Sequence, residues 1–129
     1  MKKSTHLTIG CILTYFLYTL NFGWLSCLVG LYGSVAPDID LKLHIRHRTI
    51  THSIIALILT TIPLYLFSDT LGIVWLLNYS SHLLADSITK MGVPYFYPYK
   101  KYFGLKLIRT GSKEEHIFCL ILIALFSIY

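Results

Sequence analysis

The chain has 129 residues, of which 55% are hydrophobic and only 13% are charged. The charged share is about half the usual value, and a chain this short buries a comparatively small fraction of its surface. This composition excludes a disordered chain and argues against a free-standing soluble domain. The net charge of +5 is then typical of basic cytoplasmic loops, so we expect no nucleic-acid partner. Three cysteines in apolar stretches, without a CxxC pair, indicate neither a disulfide framework nor a cysteine zinc site.

Five apolar stretches, separated by short turns or by longer polar segments, predict five helices. They cover residues 4–20, 23–35, 50–67, 70–89 and 115–129. Several are short, because ~13 helical residues extend only about 20 Å, so we expect some to thin the bilayer or to sit in one leaflet. Internal repeats and low-complexity linkers are absent from the sequence. The sequence therefore predicts one membrane-embedded domain over residues 1–129, an all-α, polytopic helical bundle of four to five helices.

The N-terminal segment has some features of a secretory signal peptide. Lys2 and Lys3 precede an apolar run, and residues 34–36 resemble a cleavage site. Pro37 would follow the cut, however, and the apolar region is about twice as long as that of a signal peptide. We therefore expect the segment to remain part of the protein.

The distribution of basic residues predicts the membrane topology. With the N-terminus inside, the inside segments are 1–6, 36–50 and 90–114, and all 11 Lys and Arg residues lie in them or at their edges. The outside turns contain Asn21 and Asp69 but no basic residue. Such an asymmetry follows the positive-inside rule. It predicts a multi-pass protein of the cytoplasmic (inner) membrane.

Most polar residues that can bind a metal fall on the same predicted side. Ionisable groups at membrane depth are costly, so each is a functional candidate. Nothing about membrane insertion requires all six histidines at one face. The candidates are His6, Asp38, Asp40, His44, His47, His52, His82, Asp86, Glu114, Glu115 and His116.

Two short motifs supply most of the carboxylates. His82 and Asp86 are spaced i and i+4, which places both on one helical face. This pair suits one metal ion or a bridged pair of ions; the alternative is a hydrogen bond inside the bundle. Asp38 and Asp40 follow Pro37 and offer oxygen ligands, although an aspartate there also serves as a helix cap.

The other candidate residues support a metal site only if they lie close to these two motifs in the folded protein. His52 stands at a predicted helix start, where it could ligate a metal, and Arg48 beside it suits an anion. The alternative for this loop is contact with anionic lipid. His6 is isolated near the N-terminus. Glu115 and His116 could complete a site, but Glu in a first helical turn also favours the helix dipole.

Nitrogen and oxygen ligands without sulfur suit zinc, manganese, iron or nickel, and a mixed His and Asp set favours zinc. Bridging Asp with His is typical of two-metal hydrolytic sites, in which bound water is activated near neutral pH. Basic residues around such a site favour a phosphate ester. The sequence contains no Walker loop, GxGxxG or HExxH motif and no Ser-His-Asp elbow.

As a set, these motifs resemble the YdjM family of membrane-bound, metal-dependent hydrolases. The sequence departs from the family pattern at Leu41 and Lys42, where His is frequent, and at Thr49, where Gly is frequent. Neither departure removes a candidate ligand. The matching pieces are TH at 5–6 with Gly10, GSVAPDID at 33–40, HR at 47–48, THS at 51–53, SHLLADS at 81–87 with Thr89 and Gly92, and RTGS at 109–112.

The resemblance implies a helical membrane protein with hydrolase activity. The family in turn is distantly similar to the zinc-dependent phospholipase C and single-strand nuclease superfamily. That similarity implies one or two divalent ions, zinc being favoured, with Asp86 as the bridge between two. The implied metal ligands are His6, Asp38, His52, His82 and Asp86.

We therefore expect a hydrolase that cleaves a phosphate ester, such as a phospholipid, with metal-activated water at the cytoplasmic interface. Asp38 and Arg48 are the predicted catalytic residues, Lys42 is a further candidate cation, and Asp40 and His47 are accessory residues. The aromatic segment 95–103 is predicted to be an interface anchor in contact with membrane lipids. Three alternatives remain open: a non-catalytic metal-binding membrane protein, a structural bundle with a polar cluster, and a lipid-binding protein that acts through its basic loops. The sequence does not indicate the oligomeric state.

Overall fold

The computed structural model describes residues 1–42 and 48–128. Over these ranges it contains six α-helices and no β-strand, which confirms the all-α prediction. Five of the helices match the five predicted ones, and the short α3 is an addition. The helices are α1 Lys3–Thr19, α2 Trp24–Gly33, α3 Ile39–Lys42, α4 Ile54–Phe67, α5 Asp69–Ile88 and α6 Lys113–Ser127; short 3-10 turns cover Ala36–Asp38 and Ile50–His52.

The start of α4 differs from the prediction for a local reason. The Ser53 hydroxyl accepts a hydrogen bond from the amide of Ala56 at 3.2 Å, which makes Ser53 the helix N-cap. His52 therefore belongs to the preceding 3-10 turn rather than to the helix. Ser112 caps α6 in the same way, accepting from the amide of Glu115 at 3.4 Å.

Helix α5 lies at the centre of the bundle. It packs against α1, α2 and α4, while α6 packs against α1. Helices α2 and α5 approach each other so closely at Gly30 that a Cβ atom added there would overlap Cγ1 of Val74. A glycine at this position therefore allows the two helices to approach each other.

Among the described residues, the interior of the bundle is unusually polar and its exterior apolar. Buried polar side chains outnumber buried apolar ones. The apolar core is confined to small clusters, one around Leu17 and Val74 and another around Leu83. Large apolar side chains are exposed instead, with Leu66 at 81% and Phe67 at 85%. Over the described residues, no helix is both long enough and apolar enough to cross a membrane.

The segment 95–103 is part of a loop between α5 and α6. Backbone hydrogen bonds in both directions between Val93 and Phe103 close this loop, at 2.8 and 2.9 Å. Phe96 and Tyr99 are exposed at its surface, at 60% and 72%. The predicted anchoring role of this segment stays a prediction.

Candidate metal centre

The five predicted metal ligands lie together at one end of the bundle. His6 comes from the start of α1, Asp38 and His52 from the two 3-10 turns, and His82 and Asp86 from the last turns of α5. Each of the five residues is at most 4% exposed. They form two overlapping groups with metal-ligand spacing, His6 with His82 and Asp86, and Asp38 with His52 and His82. Residues far apart in the sequence thus converge on one buried site.

Nε2 of His52 and Nε2 of His82 face each other, and each of them also lies near a carboxylate oxygen of Asp38 and of Asp86. The Nε2 atoms of His52 and His82 lie 3.3 Å apart. Oδ1 of Asp38 lies 3.8 Å from Nε2 of His52 and 3.7 Å from Nε2 of His82. Oδ2 of Asp86 lies 3.5 Å from Nε2 of His52 and 3.9 Å from Nε2 of His82. Ligands about 2.1 Å from a tetrahedral zinc ion lie about 3.4 Å apart. These spacings therefore fit a divalent ion bound by nitrogen and oxygen.

Several buried atoms of the cluster lack hydrogen-bond partners among the described residues. They are both ring nitrogens of His6 and Oδ2 of Asp86. Burying polar atoms without partners costs free energy, so each such atom requires an explanation. A bound cation satisfies a carboxylate oxygen and a histidine nitrogen directly, so the donor set fits a metal ion.

The rings of the cluster are held by specific neighbours. Nδ1 of His82 lies 2.7 Å from the carbonyl oxygen of Ser34, which leaves Nε2 facing the cluster. The His6 ring stacks on the His82 ring, with centroids 3.6 Å apart and an interplanar angle of 16°. No feature of the sequence pointed to this role of Ser34, because every residue type carries the same backbone carbonyl.

Asp40 supports His52 from outside the ligand group. Its Oδ2 lies 3.5 Å from Nδ1 of His52 and accepts hydrogen bonds from the Thr51 hydroxyl at 3.0 Å and the Arg48 amide at 3.1 Å. A carboxylate on the second nitrogen of a metal-binding His orients the ring and raises its basicity. Asp40 thus lies beside His52, and its accessory role at a metal site stays a prediction.

Arg48 is buried in the same region, at 1% exposure. Its Nη2 lies 2.9 Å from Oδ1 of Asp86, and its Nη1 donates to the Thr89 hydroxyl at 2.9 Å and the Gly92 carbonyl at 3.0 Å. The guanidinium group thus contacts a candidate ligand directly. Its predicted contact with a substrate stays a prediction.

Burial and neighbouring charges shift the pKa values of two candidate ligands, Asp86 and His82. Burial alone raises the pKa of the Asp86 carboxyl. The ring nitrogens of His52 and His6, 3.5 and 3.3 Å from its oxygens, and the positive charge of the Met1 amino group, which contacts Oδ1, outweigh this effect. The pKa of Asp86 therefore lies below its ordinary value. Burial, followed by repulsion from His6, lowers the pKa of His82. An ionised carboxylate beside a neutral imidazole is the form that ligates metal ions.

The remaining candidates lie apart from this cluster or outside the described residues. Glu115 is buried, but its carboxylate accepts hydrogen bonds from the amides of Lys2 and Gly111, both at 2.5 Å, and from the Thr5 hydroxyl at 2.9 Å. It therefore ties α6 to the start of α1. His116 is exposed. His44, His47 and the Lys42 side chain lie outside what the structure describes.

A cleft of about 420 Å³ reaches the cluster at Asp38. Its walls are mainly apolar, and Lys3 supplies a positive charge. Asp38 is the one of the five predicted ligands that lines it. The other lining residues are Leu7, Tyr32, Val35, Ala36, Ile39 and Trp75.

Together the fold and the cluster define an all-helical protein with a buried His and Asp centre suited to a metal ion. The family model described as YdjM inner membrane protein matches residues 1–129. The chain belongs to this family, which confirms the predicted resemblance. Neither the curated proteins nor the solved structures include a significant match to this chain. The more distant similarity to zinc phospholipases and nucleases stays a prediction.

Proposed function

We propose that this chain is a membrane-embedded, metal-dependent hydrolase that cleaves a phosphate ester, with phospholipids as the favoured substrate class. The observation that carries the proposal is the buried cluster of His6, Asp38, His52, His82 and Asp86, in which Oδ2 of Asp86 has no hydrogen-bond partner among the described residues. Membership of the YdjM family is consistent with it. Zinc is the favoured metal, because the donors are nitrogen and oxygen in a mixed His and Asp set.

The cluster would hold the ion and the cleft would admit the substrate. A bound divalent ion would supply Lewis-acid chemistry and a water activated near neutral pH. Asp38 belongs to both the cluster and the cleft, so a substrate entering by the cleft meets the cluster at this carboxylate. Positive charge beside Asp86, from Arg48, offsets the negative charge that carboxylates and phosphate bring together.

The walls of the cleft support a substrate with an apolar part. Tyr32, Ile39 and Trp75 line it beside Lys3 and Asp38. Apolar walls around a few polar groups are typical of small-molecule sites. A phospholipid would place its acyl chains against these walls and its phosphate near Lys3.

A position in the inner membrane is supported by the family's description and by the apolar exterior of the bundle. Exposed apolar surface of this extent marks contact with lipid or with another protein. The apolar parts of the helices would contact lipid, while the centre would lie beyond them at headgroup level. The basic residues, all on the side predicted to face the cytoplasm, favour placing the N-terminus and the centre there.

A non-catalytic metal-binding protein is the second candidate, and one observation favours it. Asp38, His52 and His82 form one group with metal-ligand spacing, and Oδ2 of Asp86 lies 3.5 Å from Nε2 of His52, so a fourth side chain could close the coordination sphere. Structural zinc sites are closed in this way, whereas catalytic ones keep a position open.

Hydrolysis assays on the untagged, detergent-purified protein separate the two candidates. The substrates are bis-p-nitrophenyl phosphate and phosphatidylglycerol in mixed micelles, each with added zinc and with a chelator. We expect metal-dependent turnover that Asp38→Asn abolishes and that Asp69→Asn, at an exposed aspartate at the other end of α5, leaves intact. Bound metal without turnover of either substrate would favour the non-catalytic candidate.

A further inference from the structure

We propose that the centre holds a single divalent ion, and that the Arg48 guanidinium takes the place of the second cation of a two-ion centre. The proposal rests on the metal-binding role proposed above and concerns which residues bind the ion. It differs from the predicted arrangement, in which Asp86 bridges two ions and His6 is a ligand.

The two carboxylate oxygens of Asp86 lie in different surroundings. Oδ2 has no hydrogen-bond partner among the described residues and faces Nε2 of His52 and His82 at 3.5 and 3.9 Å. Oδ1 is 2.9 Å from Nη2 of Arg48 and also contacts the Met1 amino group. A bridging role would require Oδ1 to bind a second ion, but positive groups already lie against it.

Arg48 is held in this position from several sides. Its backbone has a φ of 57°, which is uncommon for a residue other than glycine. Asp40 accepts from its amide at 3.1 Å, and the Tyr102 hydroxyl donates to its carbonyl at 3.3 Å. The side chain is fixed by Thr89 and Gly92. These contacts direct the guanidinium at Asp86, so the group is a built-in part of the centre.

The geometry of the histidines also favours one ion. His82 can offer only Nε2 to a metal, because Nδ1 is 2.7 Å from the Ser34 carbonyl oxygen, and an imidazole nitrogen binds one ion. Asp38 and His52 converge on that same nitrogen. The His6 ring lies face to face on the His82 ring. Its Nε2 is 3.3 Å from Oδ1 of Asp86, the oxygen that already contacts Arg48 and the Met1 amino group. We therefore assign His6 as a positioning residue and the other four as ligands.

The test counts ions per chain. Untagged protein in detergent is loaded with zinc, desalted, and measured by plasma mass spectrometry and native mass spectrometry. We expect one zinc ion per chain in the wild type and in His6→Ala, and none in His52→Ala. In a zinc titration, Arg48→Met should gain a second, weaker site that the added change His6→Ala removes. Arg48→Lys, which keeps the charge, should stay at one ion.

Two zinc ions per wild-type chain, or loss of zinc in His6→Ala, would overturn the single-ion assignment while leaving a metal-dependent hydrolase intact. An Arg48→Met protein that never binds a second ion would overturn the role assigned to Arg48. Should Arg48→Met fail to fold, the wild-type stoichiometry and His6→Ala still decide whether the centre holds one ion, and Arg48→Gln replaces Arg48→Met in the titration. A wild type that binds no zinc would instead contradict the proposed function.

Discussion

Nδ1 of His82 lies 2.7 Å from the backbone carbonyl oxygen of Ser34. A carbonyl only accepts, so Nδ1 carries the hydrogen and Nε2 presents its lone pair to the cluster. The contact joins the residue that follows α2 to the last turns of α5. The tautomer of a candidate metal ligand therefore depends on how closely these two helices pack.

The close approach of α2 and α5 predicts that Gly30→Ala destabilises the protein. The added methyl group would overlap Cγ1 of Val74, and overpacking of this kind costs about 1–3 kcal/mol. Thermal unfolding in detergent measures the effect. Gly23→Ala is the matched control, because a Cβ there has no neighbour within 4 Å.

A second variant separates overlap from a general intolerance of alanine in α2. Val74→Ala removes the methyl groups that Gly30→Ala would strike. The double variant should be less destabilised than the sum of the two single variants. If the destabilisation of the double variant equals the sum for the two single variants, the two side chains do not collide.

Asp40→Asn should weaken metal binding without removing a ligand. The charge on Asp40 lies 3.5 Å from Nδ1 of His52, and loss of such a supporting carboxylate lowers metal affinity about 10- to 100-fold. Competition with a zinc-binding dye measures the dissociation constant. Asp69→Asn, at an exposed site, should leave it unchanged. A zinc dissociation constant of Asp40→Asn equal to that of Asp69→Asn would argue against a supporting role for Asp40.

Glu115→Gln should destabilise the attachment of α6 to α1 in a pH-dependent way. Burial by itself raises the pKa of Glu115, but hydrogen bonds from the Gly111 and Lys2 amides and the Thr5 hydroxyl bring it below its ordinary value of 4.5. The folded state therefore favours the ionised carboxylate. Its contribution to stability is complete above pH 4.5 and is lost as the pH falls through the lowered pKa.

Unfolding of the wild type and Glu115→Gln over a pH series tests this prediction. Near neutral pH we expect the free energy of unfolding of the variant to be about 1–3 kcal/mol lower than that of the wild type, since buried donors lose their charged acceptor. The difference between the two proteins should narrow below pH 4.5. A difference that is independent of pH would contradict the assigned cause.

Ile39→Asn should impair a lipid substrate more than a small one. Ile39 lines the cleft beside Asp38 and is half exposed, so the proposed function has it in contact with acyl chains. Loss of this apolar contact should raise KM for phosphatidylglycerol about 3- to 10-fold and leave KM for bis-p-nitrophenyl phosphate unchanged. Leu107→Asn, at an exposed leucine outside the cleft, is the control. Equal changes for both substrates would argue against a lipid-binding wall.

The sequence predicted the helices and the gathering of polar residues at one end of the bundle for physical reasons, while the choice of the five candidate ligands came from the family resemblance. Long apolar stretches define helices with little ambiguity. Helices of alternating direction bring the polar ends of α1 and α5 and the turns at Asp38 and His52 to one end of the bundle. Which groups touch within that end depends on side-chain packing, so the contact of Arg48 with Asp86 was not evident. Local capping by Ser53 likewise placed His52 in a turn rather than in a helix.

The metal content of the purified protein tests the central claim most directly. The wild type, without a histidine tag, is compared by plasma mass spectrometry with His82→Ala and Asp86→Asn. His116→Ala, which changes an exposed histidine outside the cluster, is the matched control. We predict stoichiometric zinc or another transition metal in the wild type and in His116→Ala, and loss of the metal in the two cluster variants. Background metal in the wild type even after zinc loading would contradict a metal centre and favour a purely structural polar cluster.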